Sequence, residues 1–131
     1  MKFLTRLGCF LLILSRSLAA DPYIELGPML GHVGTASASI WFKASGPGNP
    51  SVVIGLTEDL TDGKSHAGAA LVSSKDFMES ITIKGLAATT RYFYAVALDG
   101  VINTPRPFPS FTTASPDGTA KRLRVAFSSC L

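Results

Sequence analysis

In Gly85–Leu98, GLAATTRYFYAVAL, a turn-like lead-in starts with Gly85, and the side chains then alternate with the two-residue period of an extended strand. Thr90, Tyr92, Tyr94, Val96 and Leu98 share one face, and Arg91, Phe93, Ala95 and Ala97 share the other. The first face is aromatic and β-branched, which suits a half-buried pleated surface. Asp99-Gly100 closes the run with a hairpin signal. The pattern predicts a central strand of an antiparallel sandwich, with Phe93 on its outer side. Tyr92 stands near the strand start, where a tyrosine hydroxyl can turn back onto upstream backbone and pin a corner between sheets. A plain core aromatic is the alternative.

The rest of the chain from Pro22 onward supplies strands of the same kind. Tyr23–Leu30 is a first strand broken by Gly27-Pro28. In Thr35–Ala44, Ala36, Ala38, Ile40 and Phe42 oppose Ser37, Ser39, Trp41 and Lys43. Either Ile40/Phe42 or the bulky Trp41 faces the core. Gly46–Pro50 is a turn cluster. Ser51–Thr57 puts Val52, Ile54 and Leu56 on one face, Glu58–His66 is a polar loop, and Gly68–Ser73 is a weak edge strand. Phe77–Lys84 alternates again. Val101–Pro109 holds three prolines, which confine it to an edge or a connection. Ser110–Thr113 finishes the set. About seven short strands, with no helical periodicity over residues 22–114, predict an all-β, immunoglobulin-like antiparallel sandwich.

Composition changes this picture at the N-terminus. The 131 residues are 47% hydrophobic and 16% charged, the make-up of one folded domain. Residues 1–20, MKFLTRLGCFLLILSRSLAA, have a basic start, a short apolar run and a small-residue end. They are expected to be a signal peptide, too short in its apolar run to span a bilayer, and they imply a secreted or periplasmic protein. Cys9 lies inside the apolar run, so no lipid or other stable membrane anchor is expected. Three of the twelve basic residues leave with this segment and none of the nine acids does. The mature chain is formally neutral, which removes any electrostatic argument for nucleic-acid binding.

The C-terminus changes it again. Residues 115–121 have linker composition, and residues 122–131, RLRVAFSSCL, alternate as a strand before a small-residue loop. A lone strand after a linker would leave an unpaired edge. The expectation is that the chain continues into a second domain. Candidate chemistry is sparse. His32 and His66 have no ligand-spaced partner and are assigned to surface or loops. Asp59, Asp62 and Asp76 lie in or beside loops and are expected to be solvated. No phosphate loop and no nucleophile elbow occurs, so no catalytic and no cofactor-binding residue is assigned. Cys130 is the one remaining thiol of the mature chain, either a small buried hydrophobe or a metal ligand at a strand end.

Gly27–Ser45, Gly85–Gly100 and Arg122–Leu131 together resemble the opening of secreted PhoD-like alkaline phosphatases. The resemblance implies a fibronectin type III-like sandwich over residues 22–114. After it would come the first strand of an α/β metallophosphatase domain that cleaves phosphate esters. It implies iron and calcium for the full-length protein, which clamp the attacking and leaving oxygens. It matches Cys130 to an iron ligand, and makes the catalytic domain of the same polypeptide the sandwich's partner. By the same resemblance the sandwich has no activity alone, and Phe93 faces the catalytic domain. The alternative is a stand-alone exported adhesion or recognition module.

Overall fold

Strand β2 (Ser37–Ala44) carries the cleanest alternation in the chain, with Ala38, Ile40, Phe42 and Ala44 buried and the residues between them half-buried. The computed structural model describes residues 20–119. The predicted signal peptide, apart from Ala20, and the segment holding Cys130 lie outside them. Around β2 stand β1 (Ile24–Val33), β3 (Pro50–Gly55), β4 (Lys64–Ala67), β5 (Met78–Lys84), β6 (Arg91–Leu98), β7 (Val101–Ile102) and β8 (Ser110–Thr112). They form two antiparallel sheets, β1-β2-β5 and β4-β3-β6-β7, with β8 also paired to β6. The fold is the β-sandwich expected.

Pairing shows how the alternation closes the core. Ile40 lies opposite Ile81 and Ala38 opposite Ile83, while Val52 pairs Val96 and Ile54 pairs Tyr94 in the second sheet. These inward faces meet with Leu71, Leu98 and Phe111 in one cluster. Ile40 and Phe42 are completely buried, and each contributes about 2–3 kcal/mol by leaving water. That decides the open question in β2: Ile40 and Phe42 face the core, and Trp41 lies on the outer side.

Three features differ from the expectations. The edge strand is Lys64–Ala67, inside the predicted loop, and Gly68–Ser73 forms no strand. The hairpin register decides this, because Ile54 pairs Lys64 and Ser51 pairs Ala67. A short polar strand suits an exposed edge, so hydrophobicity could not reveal it. Second, there are eight strands among the described residues, because Val101–Ile102, at the start of the proline-bearing segment, pairs as a short strand of its own. β7 and β8 both pair with β6, and Asn103–Pro109 bulges out between them. Within the bulge the Thr104 hydroxyl accepts the Val96 amide hydrogen at 2.8 Å, and the Pro109 carbonyl accepts that of Tyr94 at 3.0 Å. The ladder is thereby satisfied across a segment whose prolines lack amide hydrogens.

Third, β6 is buried on both faces from Phe93 to Leu98. Phe93 does point to the outer side of its sheet, but Leu60 and Phe108 cover it together with Ala95 in a second small cluster. Phe93 is 8% exposed, so the surface expected to meet another domain is already covered by this chain's own loops. The turn-like lead-in expected from Gly85 is the corner Gly85–Thr90, which leads into β6.

That corner has the predicted tyrosine. The Tyr92 hydroxyl accepts the Ala87 amide hydrogen at 2.9 Å. Buried Thr113 works beside it, accepting the Thr90 amide hydrogen at 2.9 Å and donating to the Ala87 carbonyl at 2.6 Å. At the other end of the sandwich, β1 bends at Gly27-Pro28, a cis peptide, and its pairing with β2 shifts register there. Gly27 has φ +92°, and a Cβ on it would lie 3.0 Å from the Trp41 carbonyl oxygen. The bend therefore needs glycine.

Candidate functional site

The sandwich is open along the side where β4 ends one sheet and β5 ends the other. Lys64 and His66 pair with the inward residues Ile54 and Val52, so their side chains lie on the inner face of β4. A cleft of about 470 Å³ lies at this side, lined by Ile54, Gly55, Leu56, Asp62, Lys64, His66, Lys84, Gly85, Leu86 and Tyr92. Its volume is in the range of small-molecule sites.

One wall of the cleft is the β3–β4 loop, and Asp62 organises it. Its carboxylate accepts the Thr57 hydroxyl hydrogen at 2.6 Å, the Leu56 amide at 2.8 Å and the Thr57 amide at 3.1 Å. These bonds, the Thr57 hydroxyl first, hold the Asp62 carboxyl down at about pKa 2. Asp59 is held below the ordinary carboxylate range as well, chiefly by the Thr61 amide and then by the Thr57 and Thr61 hydroxyls. Asp76 forms a 2.8 Å ion pair with Lys43, which also approaches Glu25 at 3.5 Å. The hydrogen bond to Asp76 is the main reason the Lys43 ammonium is held above its usual pKa. All three aspartates are exposed, as expected, but they brace loops rather than merely facing water.

Of the two histidines, only His66 reaches the cleft; His32 is an exposed residue of β1. Among the described residues no group of three or more His, Cys, Asp or Glu could hold a metal ion. Cys130, the expected ligand, lies outside the described residues. No helix among them is long and apolar enough to cross a membrane. The sequence pattern did not point to the cleft, because its basic residues sit on separate strands and follow no motif.

A different surface is apolar. On the outer face of the three-stranded sheet, Leu26, Met29 and Met78 are 54%, 59% and 38% exposed. Their register sets them around Trp41 and Lys43, with Met29 opposite Trp41 and both Leu26 and Met78 opposite Lys43.

The fold is shared with solved structures of low sequence identity. A structure of PhoD is similar over 69% of this chain at 11% identity and a TM-score of 0.59, and the chain spans 19% of that structure. The sensor domain of the anti-sigma factor RsgI4 in Pseudobacteroides cellulosolvens is similar over 79% of this chain and 98% of its own, at 20% identity and TM-score 0.51. A fibronectin type III domain from the human KIAA0970 protein covers 79% of this chain and 82% of its own, at 17% identity and the same TM-score of 0.51. At these identities the likeness establishes a fibronectin type III-like sandwich and nothing finer. No curated protein sequence matches the chain. A family model does, over residues 21–116, which take in every strand of the sandwich. The chain thus belongs to the family described as a domain of unknown function, DUF7800.

Proposed function

We propose that this sandwich is the N-terminal accessory domain of an exported, metal-dependent phosphatase or phosphodiesterase that hydrolyses phosphate esters, and that it has no complete active site of its own. The observation that carries the reading is a conjunction. The sandwich is similar to a 19% portion of PhoD, and in this sequence it is followed by RLRVAFSSCL, a strand-like run that ends next to a thiol. In this reading iron and calcium are held by the polypeptide beyond the sandwich, with Cys130 as one ligand. A single thiolate supplies one of the several ligands a metal site needs. The sandwich then positions its neighbour, and the exposed apolar stripe of Leu26, Met29 and Met78 beside Trp41 is the face available for that packing, in place of covered Phe93.

The test is to express the whole reading frame and follow hydrolysis of p-nitrophenyl phosphate and bis(p-nitrophenyl) phosphate with iron and calcium supplied. Hydrolysis that disappears with chelator, and iron that falls below stoichiometric in Cys130→Ser, support the reading. A product that hydrolyses neither ester overturns it.

A second reading, a stand-alone exported recognition module, rests on a different observation. The sandwich corresponds to 98% of the RsgI4 sensor domain, so a domain of this size and fold can be a functional unit. In that case the same expression experiment yields a folded, ester-inactive protein.

A further inference from the structure

The chain has three methionines and one tryptophan, and apart from Met1 they all stand on one face. Met29 lies opposite Trp41 across the β1–β2 pairing, so the two side chains leave the sheet on the same side. On the other flank Trp41 pairs with Ser80, and Met78 is the next residue of β5 on that side, opposite Lys43. Trp41 and Met78 also line one depression with Lys75, Glu79 and Ser80. Met29 and Met78 thus form the two shoulders of Trp41, 59% and 38% exposed, while the indole between them is half-buried.

Strand formation does not explain this choice of residue. Outer strand positions are ordinarily filled by β-branched or polar side chains, as at Ser39 and Thr82 on the same face, whose hydroxyls lie 3.0 Å apart. Methionine is flexible and polarisable, suits a surface that packs against something else, and unlike leucine can accept an oxygen atom.

We infer that Met29 and Met78 form a peroxide-sensitive modification site, whose oxidation turns the face around Trp41 from apolar to polar. In each residue the sulfur lone pair attacks the terminal oxygen of a hydroperoxide. The S–O bond forms as the O–O bond breaks. The proton of the transferred oxygen passes to the departing one, which leaves as water or an alcohol. Sulfur loses two electrons and the peroxide gains them; methionine sulfoxide reductases reverse the change. Because both residues are exposed, the core that holds Ile40 and Phe42 on the other face of the sheet is left intact. The site concerns only the sandwich, and its consequence for packing against the following polypeptide rests on the reading above.

The test treats the chain with excess hydrogen peroxide, its Cys130 thiol blocked beforehand with N-ethylmaleimide, and follows each methionine by peptide mass spectrometry. Met29 and Met78 should each gain one oxygen at a rate within about tenfold of free N-acetylmethionine amide. Trp41 emission should shift and retention on a hydrophobic column should fall, with both restored by sulfoxide reductases and the unfolding midpoint kept. The double variant Met29→Leu/Met78→Leu keeps the face apolar and should show neither change on peroxide treatment. Slower reaction at either methionine, the same changes in the double variant, or a lowered unfolding midpoint after oxidation would overturn the inference. Failure of the phosphatase reading leaves all of these readouts as they are.

Discussion

Tyr92 holds Ala87: the phenolic oxygen accepts the alanine's amide hydrogen at 2.9 Å, five residues upstream. The carbonyl of Ala87 is held in turn by the Thr113 hydroxyl at 2.6 Å. Both polar atoms of one backbone unit are thus satisfied by side chains, at the corner where the chain passes from β5 to β6. No ladder partner exists there, so these hydroxyls replace what a sheet would otherwise provide.

Tyr92→Phe keeps the ring against Phe111, 6.0 Å away between centroids, and removes only the hydroxyl. It should cost about 1 kcal/mol in urea unfolding, the ordinary worth of one hydrogen bond. Thr113→Val removes, at a buried position, one accepted hydrogen bond and one donated hydrogen that the Ala87 and Thr90 carbonyls share, and should cost about 2 kcal/mol. Because both act on Ala87, the double variant should deviate from additivity. A neutral Tyr92→Phe would show that the corner holds without its tyrosine.

Leu60 and Phe108 are buried loop residues, 8% and 7% exposed, that cover Phe93 and Ala95. Phe108→Ala should destabilise by about 3 kcal/mol and Leu60→Ala by about 2–3 kcal/mol, as for any core truncation. Val101→Ala, at a position 66% exposed, should change stability by about 0.5 kcal/mol or less. Thermal melts of the three variants separate a true second core from loosely lying loops.

The acid side of the stability curve should carry the signature of Asp62. Its carboxyl has a pKa of about 2 when folded, against about 3.9 in an unfolded chain. Its contribution is therefore complete above pH ~4 and is lost as the pH falls toward ~2. The lowered carboxyl of Asp59 acts in the same direction. Asp62→Asn should flatten the fall in stability between those pH values, measured by chemical unfolding at successive pH. Gly55→Ala should disturb the same loop, because the added Cβ would lie 2.5 Å from the Asp62 Oδ1. An unchanged acid limb in Asp62→Asn would show that the carboxylate does not brace the loop.

Thr89 sits at the same corner with φ 54°, a left-handed conformation that a β-branched side chain resists. Asparagine accepts that region readily. Thr89→Asn should raise stability by about 0.5 kcal/mol, seen as a melting temperature higher by about 2–4 °C. A lower melting temperature would mean that the Thr89 hydroxyl, 3.4 Å from that of Ser115, outweighs the backbone strain.

The strands that alternate strongly, β2, β5 and β6, could be read from the sequence because a half-buried sheet records in every second residue which side is wet. The corner tyrosine was legible for a similar reason, since its partner lies only five residues away. Trp41 against Ile40 and Phe42 was not, because both faces of β2 carry large apolar groups and only the position of the opposing sheet separates them. Phe93 was misplaced as a free surface because its cover comes from Leu60 and Phe108, in loops far from it along the chain. The edge strand Lys64–Ala67 carries no apolar pattern at all, so its pairing with β3 had to be seen.

By itself, then, the sequence determined the sandwich, its principal core face and its corner, all of which follow from local alternation and short-range hydrogen bonding. Only the tertiary structure decided where the outer faces are covered and where the sandwich stays open. The cleft that gathers Lys64, His66, Lys84 and Tyr92 exists because two different sheets end side by side, and that juxtaposition leaves no periodic trace along a chain.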